Sequence, residues 1–420
     1  MNPAFAHRDG RLYAEGVPLE EVAAKFGTPC YVYSRAALEA RFDAYLDAFA
    51  GRPARVCYAV KANGNLAVLG VLAARGAGFD IVSGGELARV RAAGGAARHV
   101  VFSGACKLDG ELQYALAQEI ACFNVESAPE LERLSALARD AGREARVSIR
   151  VNPDVEAGGH RHISTGKREH KFGIAMEDAG ALIERARALP GIRLVGVACH
   201  IGSQMMSLAP LGAALEQLAG FVRGLQADGV ALEHVDAGGG LGIDHEGRSA
   251  PTPAQYAEVV IAALGGLGLE IVLEPGRSIA GPAGLLLTRV AYLKQGHGRK
   301  FALVDAAMND LIRPALYDAW HDILPVAAGG APDPEPVDVV GPVCETGDFL
   351  GRDRRLPVRA GDLLAVMDGG AYGFAMSSNY NARPRACEVM VSGADAHLVR
   401  QRETVEDLWR GESLFEFAAR

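Results

Sequence analysis

From Val56 onward the chain repeats one unit: a short, almost wholly apolar run, then an Ala/Leu/Arg-rich stretch with apolar residues at helical spacing. The strand-like runs are Val56–Ala62, Phe79–Val82, His99–Ser103, Cys122–Val125, Arg146–Val151, Leu194–His200, His234–Ala237 and Glu270–Leu273, eight in all. Helical periodicity fills the intervals, for example over Glu86–Ala93, Leu108–Gln118, Ala128–Ala141 and Ala179–Ala188. A further helix precedes the first strand, with Ser34 as its N-cap and residues Arg35 to Phe49 as its body. The pattern predicts an α/β fold: a (β/α)8 TIM-like barrel over residues 34–280, with an open doubly wound sheet as the alternative.

Beyond Gly281 the punctuation changes to Gly, Pro and Asp turns between strand-like runs. These runs are Leu285–Leu293, Lys300–Val304, Pro336–Val340, Leu363–Met367, Ala386–Val391 and His397–Arg400. They predict a second, C-terminal all-β domain over residues 281–420, completed by residues 1–33. That N-terminal stretch reads as a short strand at Arg11–Tyr13, a helix from Pro18, and a Gly-Thr-Pro turn into Cys30–Tyr33.

Composition narrows the function. A chain of 420 residues, 49% hydrophobic and 22% charged, has the make-up of a soluble protein with room for two sizeable cores. A formal charge of −8 without any Lys/Arg block argues against a nucleic-acid partner. The start MNPAFAHRDG lacks the apolar centre of a signal peptide, and no apolar run is long enough to span a bilayer, so no membrane partner is expected. Seven scattered cysteines with no CxxC pair point to a reduced, cytoplasmic protein and to no metal site.

The chemistry-bearing residues fall at the C-terminal ends of the predicted barrel strands, the face where such barrels build active sites. They are Lys61, Asp80 with Ser83, Arg150 with Asn152, His200 with Ser203, the Gly238–Gly240 run, and Glu274 with Arg277. A lysine ending a buried strand is costly as an ammonium and suited to acting as a neutral amine in Schiff-base chemistry. The glycine run lets backbone N–H groups approach an anion, and it lies with Glu274-Pro275-Gly276-Arg277 at strands seven and eight, where barrel phosphate sites cluster. An acid such as Glu274 beside a pyridine nitrogen would strengthen an electron sink. His200 reads either as a core histidine or as a flat ring stacked on a flat cofactor. In the second domain, Arg313 and Tyr317 stand one helical turn apart and could grip a carboxylate. Cys344-Glu345 sets a thiol beside an acid, and glycines frame Tyr372. Each motif alone also fits a rim lysine, a tight turn or a surface ion pair; their order along one chain outweighs those readings.

That ordered set is YAVKAN, FDIVSGGEL, HIGSQ, DAGGGLGI, EPGR, MNDLIRPALYDAWH, CETGDFL and GAYG with SSNYNARPR. It resembles the alanine-racemase-type (fold type III) decarboxylases that use pyridoxal 5′-phosphate, and within them the diaminopimelate decarboxylases. The likeness runs from Phe26-Gly27-Thr28-Pro29 to Arg385. It implies a carboxy-lyase converting meso-2,6-diaminopimelate to L-lysine and carbon dioxide, the last step of lysine biosynthesis. It implies further that Lys61 carries the cofactor as an aldimine, that His200 stacks on the ring and that Glu274 meets its nitrogen. Ser203, Gly239, Gly240, Gly276, Arg277 and Tyr372 would surround the phosphate, with Asp80 and Arg150 in support. Arg277, Arg313, Tyr317, Glu345 and Tyr372 would hold the substrate, and Cys344 would be the proton donor. In this family Cys344 and Glu345 enter from the second subunit, which implies a homodimer with shared active sites. The alternatives are a decarboxylase of the same fold acting on a basic amino acid of the ornithine or arginine type, and a non-catalytic pyridoxal-phosphate-binding protein.

Overall fold

The computed structural model describes residues 4–155, 171–245, 249–296, 298–327 and 333–415. The chain divides into two units, one of residues 35–283 and one that joins the residues up to 34 with those from 284 onward.

In the first unit the parallel strands are β1 (Ala54–Ala59), β2 (Gly78–Ile81), β3 (Val100–Phe102), β4 (Cys122–Val125), β5 (Ala145–Asn152), β6 (Ile192–Ala198), β7 (His234–Asp236) and β8 (Glu270–Leu273). Each pairs with the next, and β8 returns to β1 with Leu273 opposite Val56, so the ring closes as a barrel and not as an open sheet. A two-residue strand, Ile174–Ala175, adds to the side of β5. Cys57, Val101 and Val272 pack together as buried neighbours from β1, β3 and β8. Burying a Val-sized side chain stabilises by roughly 1.5–3 kcal/mol.

The helices begin where the sequence supplies a cap. Asn65, Ser83, Ser127 and Thr252 each accept a backbone N–H from the first turn of the helix that follows. Ser83, a strand-end candidate for chemistry, is one of these caps. β1 is shorter than the apolar run suggests. Its last N–H, at Ala59, goes to Pro275 O at 3.0 Å in the loop after β8, and the chain then makes a single 3-10 turn over Val60–Ala62. Lys61 is therefore presented by a turn and not by a strand.

The second unit is built on the long strand Gly284–Gln295. It pairs antiparallel with Lys300–Val304, Leu363–Val366 and Cys30–Ser34. Cys30–Ser34 in turn pairs parallel with Cys387–Ser392, so this strand from the N-terminal segment is an interior member of the sheet. Besides the short N-terminal strands Phe5–Arg8 and Val17–Pro18, two strands of this unit escape sequence reading. Phe349–Leu356, with sequence FLGRDRRL, is masked by its charges, although Arg354 is buried with its guanidinium 3.1 Å from the centre of the Trp320 ring. Ile323–Pro325 is too short to show a period.

Candidate active site

The ends of the barrel strands converge on a buried polar cluster. Lys61 Nζ donates to Asp80 Oδ2 at 2.5 Å; the lysine side chain is 34% exposed and the carboxylate fully buried on β2. Asp80 Oδ1 is buried with no hydrogen-bond partner among the described residues. At the end of β8, Glu274 Oε1 accepts from Ser103 Oγ at 3.3 Å and from Asn124 Nδ2 at 3.4 Å. Asp236, ending β7, accepts the Gly238 N–H at 2.8 Å and Asn124 Nδ2 at 3.4 Å. Burial raises the Glu274 carboxyl well above the usual range, and the charges of Asp236 and Asp80 raise it further. Burial pushes Asp236 up as well. Burial and these two acids favour the protonated form of Glu274, against the opposing charges of Lys61 and Arg150.

The His200 ring follows β6 and is held neutral. Burial lowers its pKa well below the ordinary value, with the charges of Arg150 and Lys61 adding to that shift. The Gly239 N–H donates to Nδ1 at 3.2 Å, which an imidazolium could not accept. Arg150 Nη1 donates to Glu126 Oε1 at 2.8 Å, and Glu126 also accepts the N–H groups of Gly104 and Gly173, both at 3.0 Å. Ser203 Oγ accepts from Arg277 Nε at 3.3 Å and Nη2 at 3.0 Å. The glycines between these groups have no room for a side chain: a Cβ on Gly239 would lie 2.1 Å from Glu274 O, and one on Gly240 2.2 Å from Gly202 O. Gly276 packs against Ala59 and Ala62, where a Cβ would be 3.0 Å from each.

The barrel thus gathers Lys61, Asp80, Arg150, His200, Ser203, Gly239, Gly240, Glu274, Gly276 and Arg277 at one end of its strands. Sequence reading missed Ser103, Asn124, Glu126 and Asp236. The last two signal themselves only as polar residues ending apolar strands. The second unit carries Arg313, Tyr317, Cys344, Glu345 and Tyr372. Arg313 and Tyr317 lie one turn apart on the helix Arg313–Tyr317; Arg313 is buried, with Nη1 3.1 Å from His321 Nε2. Cys344 and Glu345 are exposed in a turn, and Tyr372 adopts a left-handed backbone with φ 56°.

A closed parallel barrel with a lysine amine, a buried acid and side-chain-free glycine backbone at its strand ends fits a protein of the pyridoxal-enzyme class. Residues 35–281 match the family described as pyridoxal-dependent decarboxylase, pyridoxal binding domain. The chain is 55% identical to a diaminopimelate decarboxylase of Pseudomonas aeruginosa over 410 residues, 98% of this chain and 99% of the relative. Diaminopimelate decarboxylase from M. jannaschii, solved with L-lysine, superposes with a TM-score of 0.93 at 38% identity, covering 98% of each chain. The Helicobacter pylori structure with L-lysine gives 0.90 at 40% identity, covering 93% of this chain and 98% of the other. A lysine/ornithine decarboxylase from Vibrio vulnificus shares the fold, with a TM-score of 0.79 over 89% of this chain and 97% of the other, but at only 23% identity. This chain belongs to the diaminopimelate decarboxylase family of pyridoxal-dependent decarboxylases.

The family's cofactor is pyridoxal 5′-phosphate, and the barrel residues fit it. An amine stands beside a buried carboxylate whose second oxygen lacks a partner among the described residues. The buried acid Glu274 suits a ring nitrogen, and bare backbone at Gly239 and Gly240 with the Ser203–Arg277 pair suits a phosphate.

Proposed function

We infer that this protein is a carboxy-lyase that converts meso-2,6-diaminopimelate to L-lysine and carbon dioxide with pyridoxal 5′-phosphate, completing lysine biosynthesis. The observation that carries the reading is the 55% identity over 98% of the chain to a relative of that name. The L-lysine bound in two related structures is the product this reaction requires.

Bound pyridoxal phosphate supplies the electron sink for the pair left when carbon dioxide departs. Lys61 supplies the amine that holds the cofactor, and His200 offers a neutral ring to stack on it. Glu274 yields its proton and keeps a negative charge beside the ring nitrogen. Asp80 and Arg150 support the site from either side. Ser203, Gly239, Gly240, Gly276 and Arg277 bind the phosphate, with Tyr372. Arg277, Arg313, Tyr317 and Tyr372 take the distal carboxylate of the substrate, and Glu345 takes its distal ammonium. Cations for a carboxylate distinguish this substrate from ornithine or arginine, whose far ends carry none. Cys344 gives the proton that replaces the lost carboxylate at Cα.

The active form is a cytoplasmic homodimer in which Cys344 and Glu345 of one protomer serve the barrel of its partner. The exposure of both residues in the single chain supports this reading. No helix among the described residues is long and apolar enough to cross a membrane.

The test is a near-visible absorbance band in the purified protein, absent in Lys61→Ala, followed by product analysis. Meso-diaminopimelate yielding lysine and carbon dioxide in equal amounts supports the reading. Turnover of ornithine or arginine in its place would overturn the substrate, and failure to take up the cofactor would overturn the whole.

A further inference from the structure

The turn carrying Cys344 and Glu345 is held by a neighbouring corner, residues 378–383. Both ends of that corner are fastened to the stretch that leads into the Arg313 helix. The Ser378 N–H donates to Asn309 O at 2.9 Å, and Asn309 Nδ2 donates back to Ser378 O at 3.3 Å. Arg383 donates from Nε to Asn309 Oδ1 at 2.9 Å and from Nη2 to Asp305 O at 2.6 Å. Between these anchors Asn381 and Ala382 are both left-handed, with φ 56° and 52°. Two such residues in a row bend the chain sharply, and only the first is of a type that adopts this conformation readily.

The bend aims two side chains at the turn. Asn381 Oδ1 accepts the Cys344 N–H at 2.8 Å, and the Tyr380 hydroxyl donates to Glu345 Oε1. On the other side Asp348 accepts the N–H groups of Val343 at 2.8 Å and Met308 at 2.7 Å. Three successive residues, 343 to 345, are therefore each held by a side chain, Val343 by Asp348 at the end of the same turn and Cys344 and Glu345 by Asn381 and Tyr380 from the neighbouring corner.

We propose that Tyr380 and Asn381 are positioning residues for the decarboxylation: Asn381 sets the place of the Cys344 thiol through its backbone, and Tyr380 sets the Glu345 carboxylate that receives the distal ammonium. This rests on the roles given above to Cys344 and Glu345. An exposed turn of Gly, Pro and polar residues samples many arrangements, and a proton donor misplaced by an ångström loses much of its effect. Tyr380 suits its task because its phenol stays protonated: the hydrogen bond to Glu345 raises its pKa, and the negative charge of Glu345 raises it further. It therefore donates to Glu345 across the neutral range and never repels it.

Three variants of the holoenzyme test this. Asn381→Gly keeps the left-handed backbone and deletes the acceptor, Asn381→Asp restores an acceptor there, and Tyr380→Phe deletes only the hydroxyl. Iodoacetamide labelling, resolved by mass spectrometry, reads Cys344 against Cys106, the other exposed cysteine. Asn381→Gly is expected to lower kcat about tenfold with KM little changed, and to alter the Cys344 labelling rate about threefold while Cys106 is unaffected. Asn381→Asp is expected to recover most of both. Tyr380→Phe is expected to raise KM for diaminopimelate about tenfold and leave kcat within about twofold, the mark of lost uniform binding. Unchanged Cys344 labelling and kcat in Asn381→Gly, or an unchanged KM in Tyr380→Phe, would overturn the proposal. Full activity in Cys344→Ser would instead remove the thiol's proposed role, while the labelling shift would still report on the turn.

Discussion

Glu274 is the residue whose surroundings govern it most. Its carboxyl is buried beside two other acids, so its folded pKa lies well above the unfolded one. The folded chain then binds that proton more tightly than the unfolded chain, and stability falls as pH rises from the unfolded value of about 4.3 towards the folded one. Glu274→Gln removes the charge and keeps the shape. The cofactor-free variant is expected to be more stable than the parent above about pH 5, with no difference below about pH 4. Urea unfolding at both pH values checks this, and a variant less stable at neutral pH would contradict it. The loaded variant is expected to lose activity by at least about a hundredfold, since the partner proposed for the ring nitrogen loses its charge. The identity of Glu274 was legible in its motif. Its protonation was not, because Asp80 and Asp236 reach it from other strands.

Paired strands and their loops carry the next constraints. On β6 and β7, Gly196 stands opposite His234, and a Cβ there would lie 2.4 Å from His234 Nε2. Burial, helped by the charges of Arg55 and Arg146, pushes this histidine down to about 4. Its unfolded pKa is near 6.5, so the unfolded chain binds more protons between those values. Stability is complete above about pH 6.5 and is lost as pH falls towards 4, by about 3 kcal/mol in full. His234→Leu is expected to flatten this part of the acid limb, as read from urea midpoints at pH 7.5 and 4.5. In the loop after β7, Gly239→Ala would drive a methyl into Glu274 O. A destabilisation of about 1–3 kcal/mol is expected, with loss of cofactor retention during gel filtration. A glycine run marks such a loop in sequence. Which carbonyl excludes a side chain is visible only once β8 lies beside it.

At the scale of the whole molecule, the proposed homodimer with shared sites makes a quantitative prediction. Lys61→Ala and Cys344→Ser are each expected to be inactive, yet mixing them in equal amounts with subunit exchange should restore about a quarter of the parent activity, because half the dimers then hold one intact site of two. No recovery would place both residues in one protomer's own site.

The sequence by itself determined the repeating strand–helix order, and with it a parallel sheet covered on both faces, because the strand runs are largely apolar; it left a closed barrel and an open doubly wound sheet both standing. It also determined the chemical types at the strand ends, from Lys61 to Arg277, because reactive side chains stand out against apolar runs. Tertiary structure alone decided three things. Ring closure from β8 to β1 ended the first strand early and put Lys61 on a turn. The strand Cys30–Ser34 from the N-terminal segment took an interior place in the second unit's sheet, far from its partners in sequence. Ser103, Asn124, Asp236 and Glu274 became one hydrogen-bonded group, though they come from four places in the chain. Local pattern reports which face of an element is buried. Which polar atoms meet there, and hence what charge they carry, depends on neighbours that only the closed barrel supplies.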